Sequence, residues 1–245
     1  MVGGWAPTII LYKGYKMKTF IAEFKATSYF KSIIADHQVF AIWIAGSTCM
    51  QCDDAESDYD IVILTLDGEI IDASQSLYLT YNGKRLHWYY RPIESLFVDH
   101  HKDVKHWLCG TQLRLIDDSF IIYINPEYKH IYDKLMMHKT SISDYSFFKF
   151  FETQSKYVNN ILKVNYVEDY KYAKFLYHLC WYSYRTHEQP VDYQLLKKVK
   201  RFNFVTVSTA ENMMIVDLLR QLSLFIANNP ICNISKIKED ILNVL

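Results

Sequence analysis

Residues 42–66 of this chain are IWIAGSTCMQCDDAESDYDIVILTL, and they predict a strand, a tight turn and a second strand. The apolar run Val39–Ala45 has the length and composition of a buried strand. Gly46-Ser47 ends this run, and after nine intervening residues Ser57-Asp58-Tyr59-Asp60 leads into a second apolar run at 61–64. The fold is therefore expected to be built around two neighbouring strands joined by a short polar connection.

The acidic pair in this connection predicts a site for a cation. Strand side chains alternate between faces, so Asp58 and Asp60 are expected on the same face. Two adjacent carboxylates repel each other unless a cation lies between them, and oxygen ligands of this kind suit Mg²⁺, which is usually shared with substrate phosphates. Gly46 allows a ligand to approach the backbone closely, and amides after Ser47 are placed to face an anion. The stretch therefore predicts a site for a metal and a phosphate.

The motif Gly46-Ser47, nine residues, then Ser57-Asp58-x-Asp60 before an apolar strand resembles the DNA polymerase β-like nucleotidyltransferase superfamily. It is similar to small bacterial members, among them the aminoglycoside nucleotidyltransferases and the minimal nucleotidyltransferases of toxin–antitoxin pairs. The resemblance implies that Asp58 and Asp60 are catalytic and bind Mg²⁺ (or Mn²⁺). It also implies that Gly46, Ser47 and Ser57 bind the triphosphate of an NTP. ATP is the expected donor, because it is the usual donor in the resembled family.

The reaction implied by the resemblance is transfer of a nucleoside monophosphate from an NTP to an acceptor hydroxyl, with release of pyrophosphate. The residues do not indicate the acceptor, and a small molecule, an RNA and a protein all stay open as the acceptor. One alternative is a catalytically degenerate NTP-binding protein with a regulatory or antitoxin-like role. Another is an RNA-modifying enzyme: the chain is neutral overall, but residues 126–245 carry a net charge of +4 and the remainder −4.

Residues 76–90 carry the clearest hairpin signal, because two strand-like runs flank Asn82-Gly83, the favoured two-residue turn. This register places Leu86 and Trp88 on the core side and His87 on the opposite, more polar side. In the resembled family the third catalytic carboxylate lies on such a strand, and here that position is His87. An imidazole can accept a proton near neutral pH but is a poorer ligand for Mg²⁺. His87 is therefore a substituted general base, a sign of lost turnover, or an ordinary hairpin residue.

The order of elements predicts an α/β fold with a nucleotidyltransferase-type mixed sheet, flanking helices and a C-terminal helical bundle. The expected divisions are an extension outside the fold at 1–17, a nucleotidyltransferase domain at 18–125 and a helical domain at 126–245. Asn125-Pro126 and Ser208–Glu211 are helix-start signals, the second of them a capping box. Helices are expected at 19–36, 93–108, 126–138, 143–164, 169–187, 191–201, 209–228 and 235–245.

The cysteines and the hydropathy pattern bear on where the protein acts. Five cysteines, an odd number, together with the lack of a secretion signal favour a reducing cytoplasm. Cys49 and Cys52 have the Cys-x-x-Cys spacing, but without a second such pair, free thiols beside the site are favoured over a zinc or redox site. No apolar run approaches the ~20 residues needed to span a membrane, so no membrane partner is expected.

Overall fold

The structure of the chain is a computed structural model, and it describes most of the sequence in several segments. These residues form an α/β fold, a mixed sheet flanked by helices and followed by a helical region, which confirms the predicted fold class. Residues 1–16 lie outside the described part, so the expected extension stays a prediction. The described residues are 17–36, 38–49, 53–54, 57–68, 71–72, 80–81, 84–97, 113–164, 182, 192–200, 208–228 and 232–243.

The described strands form a mixed sheet. They are β1 (Val39–Ala45), β2 (Tyr59–Thr65), β3 (Ile71–Asp72), β4 (Thr80–Tyr81), β5 (Lys84–Pro92) and β6 (Ile121–Ile124). Neighbouring strands follow the order β3-β5-β2-β1-β6, with β4 paired to β5. β2 and β5 are parallel, whereas the other pairs are antiparallel. All seven residues of β1 are buried, as expected for a central strand covered on both faces.

Helices precede, interrupt and follow the sheet. Residues 17–26 are helical, and the other α-helices in the described segments are Ser28–Ile34, Gly46–Cys49, Lys129–Met137, Lys139–Val164, Tyr193–Lys200, Thr209–Asn228 and Ile234–Leu242. Short 3-10 helices lie at Ile93–Phe97, Leu113–Leu115 and Pro126–Tyr128. The chain divides into two compact units, one comprising Met1–Ser146 with Asn233–Leu245 and the other Phe147–Cys232. The chain passes from the first unit to the second after Ser146 and returns after Cys232. The expected domain division at residue 125 stays a prediction.

Two apolar clusters hold the sheet of the first unit, one on each face. On one face the N-terminal helices cover β1 and β2, and residues such as Phe24 and Ile33 pack with Ile61 and Trp88. On the other face, helix Lys129–Met137 and the last helix pack on the sheet, and Ile241 is fully buried there. Burial on both faces explains why these strands are continuous apolar runs rather than alternating ones. Asp60 is the second residue of β2, and the apolar run of this strand begins at the next residue.

The helical unit is held by aromatic contacts and by buried aliphatic residues. Tyr182 stacks on Phe147 with ring centroids 3.5 Å apart. Phe148 of the long helix contacts Phe225 of helix Thr209–Asn228. Leu195, Leu196 and Val199 are buried on helix Tyr193–Lys200. The stripes of large apolar residues in this half are therefore core, at least where the structure describes them, as their helical spacing predicted.

Several helix boundaries differ from those expected, for local reasons. The single helix expected at 19–36 is interrupted at Thr27, whose hydroxyl accepts from the Phe30 amide and donates to the Phe24 carbonyl. Asn125 caps the next start as predicted, but Pro126–Tyr128 forms a 3-10 turn before the α-helix begins at Lys129. The last helix begins at Ile234 because Asn233 caps it. Most of the helices expected at 93–108 and 169–187 lies outside the described residues.

The capping box at the start of helix Thr209–Asn228 is formed as predicted. The Glu211 amide donates to the Ser208 hydroxyl, and the Glu211 carboxylate accepts from the Ser208 amide. Lys198 of the preceding helix adds an ion pair to Glu211 at 2.6 Å. Hydrogen bonds from Lys198 and then from Ser208 lower the pKa of the Glu211 carboxyl from 4.5 to about 2.

Glu211→Gln is expected to destabilise the protein near neutral pH and to matter progressively less in acid. Because the folded-state pKa is lower than the unfolded one, the stabilisation is complete above about pH 4.5 and is lost as the pH falls toward 2. Urea midpoints of wild type and variant, measured at pH 6 and pH 2.5, should therefore converge in acid. Glu152→Gln is the control, since Glu152 makes an exposed pair with Lys149 in the same unit. A constant gap between wild type and Glu211→Gln would contradict the expectation.

Candidate functional site

Three strands bring the predicted site residues to one end of the sheet. Asp60, the second residue of β2, is paired with Ala45 at the end of β1 and with His87 on β5. Gly46 directly follows Ala45, so the turn that leaves β1 lies beside Asp60. The parallel pairing of β2 with β5 places His87 next to Asp60, although the two are far apart in sequence. Gly46, Asp60 and His87, singled out from the sequence, are therefore neighbours.

Gly46 and Asp60 are in direct contact. Gly46 has φ of +66°, in the left-handed region that side chains rarely adopt. A Cβ at this position would lie 1.8 Å from Asp60 Oδ2 and 2.7 Å from its Cγ. The carboxylate of Asp60 therefore occupies the space that any other residue at position 46 would fill. Glycine is required here for close approach as well as for backbone conformation.

Asp60, His87 and Tyr89 form a triangle of polar atoms. His87 Nδ1 lies 3.2 Å from Asp60 Oδ1, and the Tyr89 hydroxyl lies 3.2 Å from the same oxygen. The third side, from the Tyr89 hydroxyl to His87 Nδ1, is 2.7 Å. The His87 and Asp60 side chains are 18% and 22% exposed, so the cluster is mostly shielded from water. Shielding of this degree strengthens electrostatic interactions within the cluster.

Asp58 lies just before β2 and is more exposed than Asp60. Its Oδ1 is 3.9 Å from Arg85 Nε, and the Arg85 side chain is 65% exposed, so the pair is loose. Arg85 and His87 are two residues apart on β5 and project from the same face of the strand. Because Asp58 is near Arg85 and Asp60 is near His87, both carboxylates lie along that face.

The donor set suits a cation that arrives together with phosphates. Within the described ranges, no group of three or more His, Cys, Asp or Glu side chains is arranged to hold a metal ion. Asp58 and Asp60 supply carboxylate oxygens only, and one oxygen of Asp60 is in contact with Tyr89 and His87. Mg²⁺ commonly keeps several waters and is held by one or two carboxylates plus substrate phosphates. The pair therefore fits a metal–nucleotide complex better than an ion held by protein alone.

The two serines predicted to bind the triphosphate lie close to the chain turns of the site. Ser47 is buried in the short helix Gly46–Cys49. The Ser57 hydroxyl is also buried, and it donates to Asp54 Oδ1 at 2.8 Å while accepting from the Asp54 amide. Ser57 thus organises the connection that leads into β2. Its predicted contact with phosphate stays a prediction.

Cys49 has a structural environment rather than a reactive one. Its thiol donates to the Ile44 carbonyl at 3.2 Å and is buried. Burial, and then the charges of Asp117 and Asp60, raise the pKa of the Cys49 thiol well above its ordinary value. A thiol held neutral in this way is a poor nucleophile and a poor zinc ligand. Cys52, its partner in the Cys-x-x-Cys spacing, lies outside the described residues.

Two residues of β5 belong to the site but were not singled out from the sequence. Tyr89 and Arg91 follow His87 at two-residue intervals and share its face. Arg91 is buried, with its guanidinium 5.1 Å from the centroid of the Tyr89 ring. The strand alternation 87, 89, 91 was a signal that could have indicated them. Glu94, the nearest carboxylate after His87 along the chain, follows β5 at its other end and pairs with Lys238 at 3.1 Å.

Comparison with solved structures shows a similarity in fold, whereas the sequence comparisons find no match. No family model and no curated protein matches the sequence. Among solved structures, the chain is similar to a nucleotidyltransferase-like protein from Exiguobacterium sibiricum 255-15, with 12% sequence identity and a TM-score of 0.31. The match covers 90% of this chain and 79% of that one. A similarity at this level carries no argument about function. In the described part of the chain, no helix is long and apolar enough to cross a membrane.

Proposed function

We propose that this chain is a metal-dependent nucleotidyltransferase that moves a nucleoside monophosphate from an NTP, with ATP as the donor, to an acceptor hydroxyl. The observation that carries the proposal is the packing of Asp60 against Gly46, at the end of the sheet beside His87. A carboxylate held against Gly46 places a metal ligand beside the Gly46-Ser47 turn, which the resemblance assigns to the triphosphate. The spacing of the motif in sequence supports the same assignment.

In this proposal each polar group has a separate task. Asp58 and Asp60 would hold Mg²⁺ or Mn²⁺, and the ion would supply positive charge that offsets the charge of the nucleotide phosphates. The short helix at Gly46-Ser47 lies beside the triphosphate. Arg85 is exposed and only loosely paired, so it can turn toward a phosphate oxygen when a nucleotide binds. His87 is the base, because its imidazole lies beside the Asp60 carboxylate on the neighbouring strand.

The proposed chemistry balances without any further reactant. The oxygen of the acceptor hydroxyl forms a bond to the α-phosphorus of the NTP, and the bond from that phosphorus to the oxygen of the β-phosphate breaks. Pyrophosphate leaves with the electron pair of the broken bond, and the hydroxyl proton passes to His87. Catalysis then depends mainly on positioning the reactants and on electrostatic stabilisation by fixed charges.

A second candidate is a protein that binds the metal–nucleotide complex without turning it over. The specific observation that favours it is the histidine on β5 where the resembled family has its third carboxylate. In this case the nucleotide would act as a regulatory ligand. The two candidates share the nucleotide site and differ only in whether pyrophosphate is released.

Incubation with each of the four NTPs, labelled at the α-phosphate, together with Mg²⁺ or Mn²⁺ tests the proposal directly. Aminoglycosides, tRNA, protein and small polyols serve as acceptors, and release of pyrophosphate and label transfer are measured. Wild type is expected to release pyrophosphate, and Asp58→Asn to lower the rate by ~10²-fold or more, because the variant removes one charged oxygen ligand. Asp67→Asn is the control, since Asp67 is exposed in the turn after β2.

The outcomes separate the candidates. Release that is lost in Asp58→Asn but kept in Asp67→Asn supports the enzyme and identifies the acceptor by the label it gains. Nucleotide binding without release for any acceptor would favour the regulatory protein instead. Labelling of tRNA, with binding that weakens steeply as salt rises, would select an RNA-modifying enzyme. Neither binding nor release by wild type would refute both candidates.

A further inference from the structure

We propose that Lys84 is a positioning residue for the metal site, because it fixes the segment of chain that carries Asp58. The role rests on the proposed function, in which Asp58 would hold the metal ion. Lys84 is the first residue of β5, and its Nζ lies 3.3 Å from Asp53 Oδ2 in the connection that leads to β2. The same Nζ lies 5.1 Å from the centroid of the Tyr59 ring. Lys84 thus contacts a residue on each side of Asp58 along the chain.

The ion pair between Lys84 and Asp53 is shielded, unlike most pairs on a protein surface. The two side chains are 18% and 23% exposed. By comparison, the pair of Arg85 and Asp58 is longer, at 3.9 Å, and both of its side chains are more exposed. Coulomb attraction is stronger between partly shielded charges than between fully solvated ones. Lys84 is therefore expected to hold Asp53 firmly, whereas Arg85 holds Asp58 only loosely.

A closed turn connects Asp53 to Asp58. The Ser57 hydroxyl accepts from the Asp54 amide at 2.9 Å and donates to Asp54 Oδ1 at 2.8 Å. The Ser57 amide also donates to the Asp54 carbonyl, at 3.2 Å. These bonds fix the separation of residues 54 and 57, which directly follow Asp53 and directly precede Asp58. A restraint on Asp53 is thereby passed on to the backbone of Asp58.

Tyr59 restrains Asp58 from the other side. Its ring stacks on the ring of Phe20, with centroids 4.2 Å apart, and Phe20 is buried under the N-terminal helices. The ammonium group of Lys84 lies over the same tyrosine ring, which adds a cation–π attraction. The ring is thus held by contacts with both Phe20 and Lys84. The start of β2, next to Asp58, is fixed with it.

Lys84 acts on the site through the backbone, since it lies on the face of the sheet away from the proposed metal. Strand alternation puts Tyr59 on the face opposite to Asp60, and Lys84 on the face opposite to Arg85. On that face the ammonium group of Lys84 donates to Asp53. Groups that orient metal ligands without touching the metal typically contribute ~10–100-fold to metal affinity or activity. Lys84 is expected at the lower end of this range, because it acts through neighbouring residues.

Hydrogen–deuterium exchange of residues 53–60, measured by mass spectrometry on the full-length protein without metal or nucleotide, tests the restraint. Lys84→Met removes the charge and keeps a long side chain, so exchange in this segment is expected to be ~5-fold faster or more. Lys84→Arg keeps a charge that can pair with Asp53 and should exchange at nearly the wild-type rate. Lys238→Met is the matched control, since Lys238 pairs with Glu94 at 3.1 Å beyond the other end of β5. Unchanged exchange in Lys84→Met would overturn the proposal.

A double-mutant cycle attributes the effect to this pair, although Asp53 has other contacts as well. Asp53→Asn is also expected to speed exchange in the segment. The double variant Asp53→Asn/Lys84→Met should exchange more slowly than the product of the two single fold-changes predicts. Independent effects of the two substitutions would rule out the ion pair as the cause. Thermal midpoints establish that each variant is folded, and Asp53→Asn carries the same expectations if Lys84→Met does not fold.

Binding of Mn²⁺ in the presence of α,β-methylene-ATP, which cannot release pyrophosphate, links the segment to the site. By titration calorimetry the Kd for Mn²⁺ is expected to rise ~10-fold in Lys84→Met. It should stay near the wild-type value in Lys84→Arg and Lys238→Met. A loosened segment with wild-type affinity for Mn²⁺ would make Lys84 a purely structural contact and would end its proposed role.

Failure of the proposed function gives a different pattern of results. Wild type that binds Mn²⁺ with the analogue but releases no pyrophosphate from any NTP would refute the transferase. A ~10-fold weaker Kd in Lys84→Met would still support the positioning role in that case, because a regulatory protein uses the same metal–nucleotide site. Wild type that binds no Mn²⁺ with the analogue would refute both the metal site and the role of Lys84.

Discussion

Asp60→Asn is expected to lower nucleotidyl transfer by ~10³-fold or more, because the substitution removes the negative charge at the centre of the site and changes its volume little. Asp60 is proposed to bind the metal through its carboxylate and also contacts His87 and Tyr89. An asparagine has one oxygen and one NH₂ group, so it cannot present oxygen to the metal and to both neighbours. The rate of pyrophosphate release with saturating NTP is the measurement.

The control for this variant distinguishes chemistry from folding. Asp67→Asn, in the exposed turn at the other end of β2, should retain the wild-type rate. The far-UV circular dichroism and thermal midpoint of Asp60→Asn should show that the sheet is formed, since the substitution is nearly isosteric. A variant that is folded and as active as wild type would remove Asp60 from the mechanism, and with it the proposal that the acidic pair binds the catalytic metal.

Gly46→Ala is expected to abolish activity and to destabilise the protein, through two effects at one position. The left-handed conformation at φ +66° costs an alanine about 1–2 kcal/mol. The added Cβ would also lie 1.8 Å from Asp60 Oδ2, so either the carboxylate or the backbone must move. Movement of this kind in a packed site typically costs a further ~1–3 kcal/mol. Urea denaturation measures the stability, and the pyrophosphate assay measures the displacement of Asp60.

Gly68→Ala separates these two effects. Gly68 also has a positive φ, +109°, but a Cβ there would meet nothing within 4 Å. It should therefore carry a backbone cost without a clash and without loss of activity. A double-mutant cycle with Asp60→Ala completes the test, because removing the carboxylate should reduce the cost of Gly46→Ala. Equal costs in the presence and absence of the Asp60 carboxylate would show that the predicted contact is not what limits position 46.

Much of the fold is local in origin, and local patterns predicted it. β1 and β2 are continuous apolar runs ended by polar or glycine residues, and both formed within a residue or two of their expected positions. The register of the described part of the hairpin, Thr80 with Arg85 and Tyr81 with Lys84, agrees with a two-residue turn at Asn82-Gly83. The helix at 209–228 has its expected bounds, because the capping box and the apolar period lie within one segment.

The predicted helix boundaries were wrong where a side chain forms hydrogen bonds with the backbone in place of the regular helical ones. Thr27 interrupts an otherwise helical pattern, since its hydroxyl offers the backbone a capping alternative that apolar periodicity does not register. Tyr89 was missed for the same reason, since a hydropathy pattern carries no information about side-chain hydrogen bonds. It was visible only as one aromatic residue in a strand, because nothing in a linear pattern shows that its hydroxyl lies within hydrogen-bonding distance of two other groups.

The sequence by itself determined strands β1, β2 and β5, the turn at Gly46 and the alternation that puts Asp58 with Asp60, because these depend on neighbours in the chain. Only the tertiary structure decided that β5 lies parallel to β2, with His87 paired to Asp60. It alone also showed that the Asp60 carboxylate rests on the bare Cα of Gly46. The physical reason is that strand order and side-chain contact are set by how two faces of a sheet are covered, which involves residues from both ends of the chain.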